Sequence, residues 1–153
     1  MTRAALLVPA LAAAFFVAGG AVAQDHPPGP PPDGGFGAAA GQASDPVVTG
    51  LALEALASQT DSISARDAAA RATSWALGRL PDGVWPGSGY AAARATIALA
   101  TGLQAAGSPQ PRAVAFAAGL LGPDGSVVVD GRASLELTQA AALLLGDTSL
   151  ATV

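Results

Sequence analysis

The stretch RLPDGVWPGSG, residues 79–89, decides how this chain is organised. It separates two alanine-rich segments, and it contains Pro81, Asp82 and Gly83 in succession. Proline presets its own backbone dihedral, aspartate hydrogen-bonds the local backbone and glycine supplies a left-handed conformation, so the three residues together are typical of a turn. The stretch therefore predicts a reversal of the chain between two helices, with Trp85 packed on the helix ends.

Capping and stop signals predict five helices and an all-α fold. Asp45-Pro46, an N-cap followed by proline, begins the first helix, which we expect to end near Ser58. Ser64 with Asp67 resembles a capping box and begins the second helix, which ends near Leu80. The other helices are expected at residues 90–106, at 110–121 after a cap at Ser108-Pro109, and at 132–145. The run SVVV (126–129) is interpreted as a loop, since no second strand is evident.

A second turn, Pro123, Asp124 and Gly125, reveals an internal repeat. The two copies align at offsets of 41 and 42 residues, and Thr49 resembles the same position one unit earlier. A period near 40 is typical of stacked helical repeats. The sequence thus predicts about two and a half helical hairpins. The aligned pairs are Arg71-Ala72 with Arg112-Ala113, Trp75 with Phe116, the two Pro-Asp-Gly turns, and Thr96 with Thr138.

These residues resemble the terpenoid cyclase and protein prenyltransferase α/α toroid superfamily. The similarity is carried by WALGRLPDGVW (75–85) followed by ARATIALA (93–100), and it covers residues 45–147. DPVVTGLALEALAS (45–58) and GPDGSV (122–127) look most like the secreted bacterial prenyltransferase/squalene-oxidase repeat proteins. The resemblance implies a partial α/α toroid or solenoid. By the same resemblance, the cobalamin carriers share this helical architecture, although no residue here singles out cobalamin.

The chain departs from that superfamily where its chemistry resides. It has no Asp-x-Asp-Asp run for protonating an isoprenoid and no cysteine, and Val127 stands where the repeat would place a second turn tryptophan. We expect the backbone to engage the side chains of Asp82 and Asp124. No catalytic residue and no cofactor are therefore predicted, and an isoprenoid-type cyclase or transferase remains the alternative.

Composition limits the core and the partners. The 153 residues are 51% apolar but only 5% aromatic, so helices with small faces must approach one another closely. All seven basic residues are arginine and the net charge is −4, which argues against nucleic acid or an anionic membrane surface as partner.

Residues 1–23 are predicted to be a cleaved signal peptide, because Arg3 precedes an uncharged stretch that ends in Ala21-Val22-Ala23. The protein is then periplasmic or secreted; an uncleaved segment would be a membrane anchor instead. Residues 24–44 are interpreted as a Pro/Gly-rich linker, with the helical domain at 45–153. If the mature chain begins at Gln24, its amine and His26 form a candidate Cu(II) or Ni(II) site, while pyroglutamate formation at Gln24 would remove it.

Four aromatic residues are the candidate ligand-binding positions: Trp85, Tyr90, Trp75 and Phe116. Trp75 and Phe116 are expected to anchor the core, whereas Trp85 and Tyr90 either fasten the helix ends or line a concave apolar face. The sequence thus favours an exported, non-catalytic repeat module that binds an apolar ligand or a protein partner. A truncated structural fragment and a homo-oligomer are the other interpretations.

Overall fold

The computed structural model describes residues 33–59 and 61–146. The predicted signal peptide and the metal candidates Gln24 and His26 lie outside the described residues.

The described part of the chain is mostly helical, as predicted. Five helices are joined by turns, and a two-stranded antiparallel sheet precedes the last helix. In chain order the elements are α1 (Pro46–Ala57), α2 (Ile63–Arg79), α3 (Gly89–Ala105), α4 (Pro111–Gly119), β1 (Val127–Val129), β2 (Arg132–Ser134) and α5 (Leu135–Leu145).

Helix α1 begins as its sequence predicts, because the Asp45 side chain accepts hydrogen bonds from the amides of Val47 and Val48. The predicted cap of α2 is wrong by two residues. Ser62, not Ser64, accepts from the amide of Ala65, and Ser64 lies inside the first turn.

The predicted start of α4 at Ser108-Pro109 is also wrong. Gln110 occupies the cap and Pro111 the first helical position, where the missing proline amide costs no helical hydrogen bond. The sequence offers two possible first residues for this helix, Pro109 and Pro111, because both are prolines that follow a polar residue. Gly107, with a φ of +77°, ends the preceding helix as predicted.

The loop prediction for SVVV is wrong, and α5 starts three residues later than predicted. Val127–Val129 pair with Arg132–Ser134 through a two-residue turn at Asp130-Gly131. Both turn residues have positive φ, 52° and 72°, which is the geometry that the right-handed twist of a tight hairpin favours.

The helices form two layers. Helices α1, α3 and α5 lie side by side in one layer, while α2 packs against α1 and α3, and α4 packs against α3 and α5. The contact between α1 and α3 is a backbone contact, since a Cβ added at Gly102 would collide with the Gly50 carbonyl oxygen and one at Gly50 with the Ala98 carbonyl oxygen. Close approach of small-faced helices is therefore confirmed for this pair.

Two apolar clusters fill the space between the layers. One joins α1, α2 and α3, and its members include Leu53, Trp75, Leu99 and Leu103. The other joins α3, α4, α5 and β1, with Ile97, Val127, Leu137 and Leu144 among its members. Alanines occupy much of the remaining core, as the composition predicts.

The turn at Gly83 has a counterpart within the segment predicted as linker. Sequence Pro32-Asp33-Gly34 matches Pro81-Asp82-Gly83, and Gly34, Gly83 and Gly125 have φ values of +93°, +76° and +81°. Gly34 and Gly35 are buried, and Phe36 packs against the first cluster. The packed region thus begins by Asp33, ahead of the predicted domain boundary at Asp45.

Three buried threonines fasten the turns to the helices of the first layer. Thr49 Oγ1 accepts a hydrogen bond from the amide of Phe36, Thr96 Oγ1 from that of Trp85, and Thr138 Oγ1 from that of Val127, at 2.8–2.9 Å. In each case the donor lies two residues after the positive-φ glycine of a Pro-Asp-Gly turn.

Candidate functional site

A cleft of about 470 Å³ lies beside the first turns of α1 and α3. Its apolar lining comes from Pro46 and Val47 on α1, from Trp85 and Pro86 in the turn, and from Tyr90 at the start of α3. Arg94 adds a positive charge to the lining. The cleft thus combines aromatic, proline and aliphatic groups with a charged edge.

Tyr90 separates this cleft from a second depression of similar volume, about 470 Å³, formed by the turn and strand residues 129–130 and 132–134. Tyr90 as a whole residue is 41% exposed. Gly89, the residue before Tyr90, lies close to the β-hairpin, because a Cβ added there would lie 2.9 Å from Asp130 Oδ2. Tyr90 is therefore accessible from both sides.

A hydrogen-bonded group holds Tyr90 in place. The Tyr90 hydroxyl donates to Glu136 Oε2 at 2.6 Å, and Arg94 Nε donates to Glu136 Oε1 at 2.6 Å. The bonds from Tyr90 and Arg94 lower the pKa of Glu136, and the bond to Glu136 raises the pKa of Tyr90. Because the Arg94 and Glu136 side chains are about half exposed, we expect the ion pair to orient Tyr90 more than to stabilise the fold.

Trp85 both fastens the turn and lines the cleft. Its amide is bonded to Thr96, and its ring lies 6.3 Å from the Trp75 ring between centroids, in a tilted arrangement. Trp85 thus holds the turn through its backbone amide and is one of the residues that line the cleft.

Trp75 and Phe116 are not among the residues that line the cleft. Trp75 is buried, its Nε1 donates to Asp33 Oδ2 at 2.9 Å, and the Arg79 guanidinium lies 5.4 Å from its ring centroid. Phe116 packs against the second cluster. Of the four predicted aromatic positions, the structure brings only Trp85 and Tyr90 together at the cleft.

The turn aspartates differ in their partners. Asp124 Oδ1 accepts from the amide and the hydroxyl of Ser126, which lowers the pKa of Asp124. Asp82 instead accepts from Arg112 Nη1 at 3.4 Å, so the prediction that the backbone engages Asp82 is wrong. Part of the difference lies in the sequence, since Val84, which has no hydroxyl, stands where the second turn has Ser126.

Arg94 and Glu136 are site residues that the sequence analysis missed. A signal was present, since Arg94 and Glu136 each lie two residues before the aligned threonines Thr96 and Thr138. Opposite charges at one register of neighbouring helices would have predicted the pair.

The polar side chains buried in residues 33–59 and 61–146 are Thr49, Thr96 and Thr138, and each is hydrogen-bonded. Within those same residues no group of three His, Cys, Asp or Glu side chains is placed to hold a metal ion. None of the described helices is both long enough and apolar enough to cross a membrane.

Comparison with family models, curated proteins and solved structures finds no match to this chain.

Proposed function

We propose that the protein is an exported, non-catalytic helical-repeat module that binds a partner at the cleft beside Tyr90. The repeat relation is supported by the positive φ of the glycine in each of the three Pro-Asp-Gly turns. It is also supported by the three buried threonines, each of which accepts a hydrogen bond from the amide two positions after such a glycine. A partial α/α toroid or solenoid is consistent with the two helical layers.

Packing between successive turns and helices adds support for the repeat. A Cβ at Gly34 would lie 3.1 Å from the Arg71 carbonyl oxygen, and one at Gly83 would lie 2.7 Å from the Cβ of Arg112. Arg71 and Arg112 are the arginines that align in the sequence. The turn at Gly34 is therefore in close contact with Arg71, and the turn at Gly83 is in the same kind of contact with Arg112 of the following hairpin.

The accessible Tyr90 ring is the observation that carries the binding proposal. Tyrosine, tryptophan and arginine are enriched where proteins bind one another, because they offer large contact areas and directed hydrogen bonds. Here Tyr90, Trp85 and Arg94 line one cleft. Since the cleft is open and has a charged edge, a protein segment with apolar side chains fits it better than a fully enclosed apolar ligand.

Native mass spectrometry of the protein recovered from an exporting bacterial host tests this proposal. The spectrum reports cleavage after Ala23, the number of chains and any retained mass. We expect retained mass on the natural chain and its loss in Tyr90→Ala. Leu77→Ala is the matched control, because Leu77 is also 41% exposed but lies on α2, outside the cleft lining.

A retained polypeptide would support a protein partner, and a retained small molecule would identify an apolar ligand instead. A bare natural chain, or mass retained equally by Tyr90→Ala, would contradict binding at this cleft. A chain that keeps residues 1–23 in the exporting host would contradict the signal peptide.

A further inference from the structure

Two exposed strips lie on opposite edges of the α1–α3–α5 layer. The α1 strip consists of Leu51 and Ala55, and Leu51 is 59% exposed. The α5 strip consists of Leu135, Gln139 and Leu143, and Leu143 is 65% exposed. Neither strip contains a charged residue. A single exposed leucine such as Leu51 is ordinary on a protein surface, so the case for these strips rests on the surfaces to which they correspond on α3.

The α1 strip corresponds to a surface that is covered on α3. Measured from the aligned threonines, Leu51 and Ala55 occupy the positions of Ala98 and Gly102. Those two α3 residues meet Gly50 of α1 in backbone contact. The α1 strip is therefore the edge on which a preceding helix would lie.

The α5 strip corresponds to the opposite covered surface of α3. By the same register, Leu135 and Gln139 occupy the positions of Ala93 and Ile97. Ala93 and Ile97 are buried in the cluster that α3 shares with α4, β1 and α5, and Leu143 occupies the position of the half-buried Thr101. The α5 strip is therefore the edge on which a following helix would lie.

We propose that a second copy of this chain covers these strips, with the α1 strip of one copy packed on the α5 strip of the next. The arrangement continues the α1–α3–α5 contacts across the boundary between copies, so the interface is head-to-tail, and it forms a ring or an open chain according to the rotation between copies. The proposal rests on the repeat relation proposed above but not on partner binding at Tyr90.

Sedimentation velocity of the exported protein over a range of concentrations tests the proposal. We expect assemblies larger than the monomer, and we expect Leu51→Glu and Leu143→Glu each to prevent growth by placing a carboxylate in one strip. Ile63→Glu is the control, because Ile63 is exposed on α2 outside both strips and should leave assembly unchanged. Circular dichroism checks that every variant retains its helix content.

Mixing the two variants gives the decisive result. Leu51→Glu keeps its α5 strip and Leu143→Glu keeps its α1 strip, so an equimolar mixture should form a one-to-one pair and nothing larger. A natural chain that stays monomeric up to about 1 mM would overturn the proposal. Assembly that survives either substitution, or a mixture that forms no pair, would overturn it as well.

These outcomes are independent of the partner at the cleft, because neither strip includes a residue that lines it. Assembly without retained mass would support the head-to-tail contact and contradict the proposed function. A monomer that retains mass would support the proposed function and contradict the head-to-tail contact.

Discussion

Gly83 meets two requirements that exclude other residues. Its φ is +76°, and a Cβ would lie 2.7 Å from the Cβ of Arg112. We expect Gly83→Ala to lower the free energy of unfolding by about 3 kcal/mol, from backbone strain plus steric overlap. Urea denaturation followed by circular dichroism measures the loss.

Gly107 separates the two effects. Its φ is +77°, yet no heavy atom lies within 4 Å of an added Cβ. Gly107→Ala should therefore cost only about 1 kcal/mol, the strain alone. Equal losses for the two substitutions would show that the turn at Gly83 is not packed against Arg112.

Thr96 links a turn to the middle of the molecule. Its hydroxyl accepts from the amide of Trp85 and donates to the carbonyl of Ala92. Thr96→Val preserves volume but leaves the Trp85 amide without its acceptor, so we expect a loss of about 1–3 kcal/mol in thermal or urea unfolding.

Thr101 on the same helix is the control for Thr96. Its hydroxyl donates to the Ile97 carbonyl, which is already an acceptor within the helix. Thr101→Val should change stability by less than about 0.5 kcal/mol. A similar effect of both valines would mean that the threonine-to-turn bond contributes nothing.

At the scale of elements, the α1–α3 contact depends on glycine. Gly102→Ala adds a methyl group against the Gly50 carbonyl oxygen, and the two helices must separate to admit it. We expect a loss of about 3 kcal/mol, although alanine is the better helix former. Gly78→Ala on α2 meets open space and should instead gain up to about 1 kcal/mol. Effects of the same sign, measured by urea unfolding, would contradict the close backbone contact.

The elements also show which helix starts and turns can be predicted from the sequence and which cannot. Asp45-Pro46 is an unambiguous start, so α1 was predicted to within a residue or so. The β-hairpin was missed because Arg132-Ala133-Ser134 has no apolar alternation, although Asp130-Gly131 is the usual signal for a two-residue hairpin turn. The first Pro-Asp-Gly turn was missed because a Pro/Gly-rich tract surrounds it, and only its packing under Arg71 distinguishes it from a linker.

The candidate site was only partly predictable for a related reason. Trp85 and Tyr90 stand out in the sequence because they flank a turn. Their convergence with Pro46 and Val47 depends on how α1 lies against α3, and single-residue patterns do not specify that contact. The Tyr90–Glu136 bond joins residues 46 positions apart and required the repeat register to be read for charge.

For the whole molecule, two glutamates predict opposite responses to pH. Burial raises the pKa of Glu54 on α1, so the folded state holds this proton more tightly than the unfolded state does. The contribution of Glu54 to the free energy of unfolding is most favourable below its ordinary pKa of 4.5, and it is lost as pH rises through the raised pKa of the folded state. Glu54→Gln should therefore raise Tm at about pH 7 and change it little at about pH 4.

Glu136 provides the comparison, because bonds from Tyr90 and Arg94 lower its pKa. The contribution of Glu136 to the free energy of unfolding is present above its ordinary pKa of 4.5, and it is lost as pH falls through the lowered pKa of the folded state. Glu136→Gln should thus lower Tm only slightly at about pH 7, because the pair is exposed, and this small effect should diminish in acid. Differential scanning calorimetry at both pH values checks the pair, and shifts of the same sign at neutral pH would contradict these assignments.

The central position of α3 has a consequence for how the molecule opens. Among the described elements, this helix contacts the four other helices and β1, so none of these neighbours can leave without exposing part of it. It also cannot unwind while they stay in place. Local fluctuations that release α2 or α4 leave the three-helix layer intact. In native-state hydrogen exchange we therefore expect α3 amides to exchange only through global unfolding, with protection equal to the full stability, while α2 and α4 amides exchange earlier through partial opening.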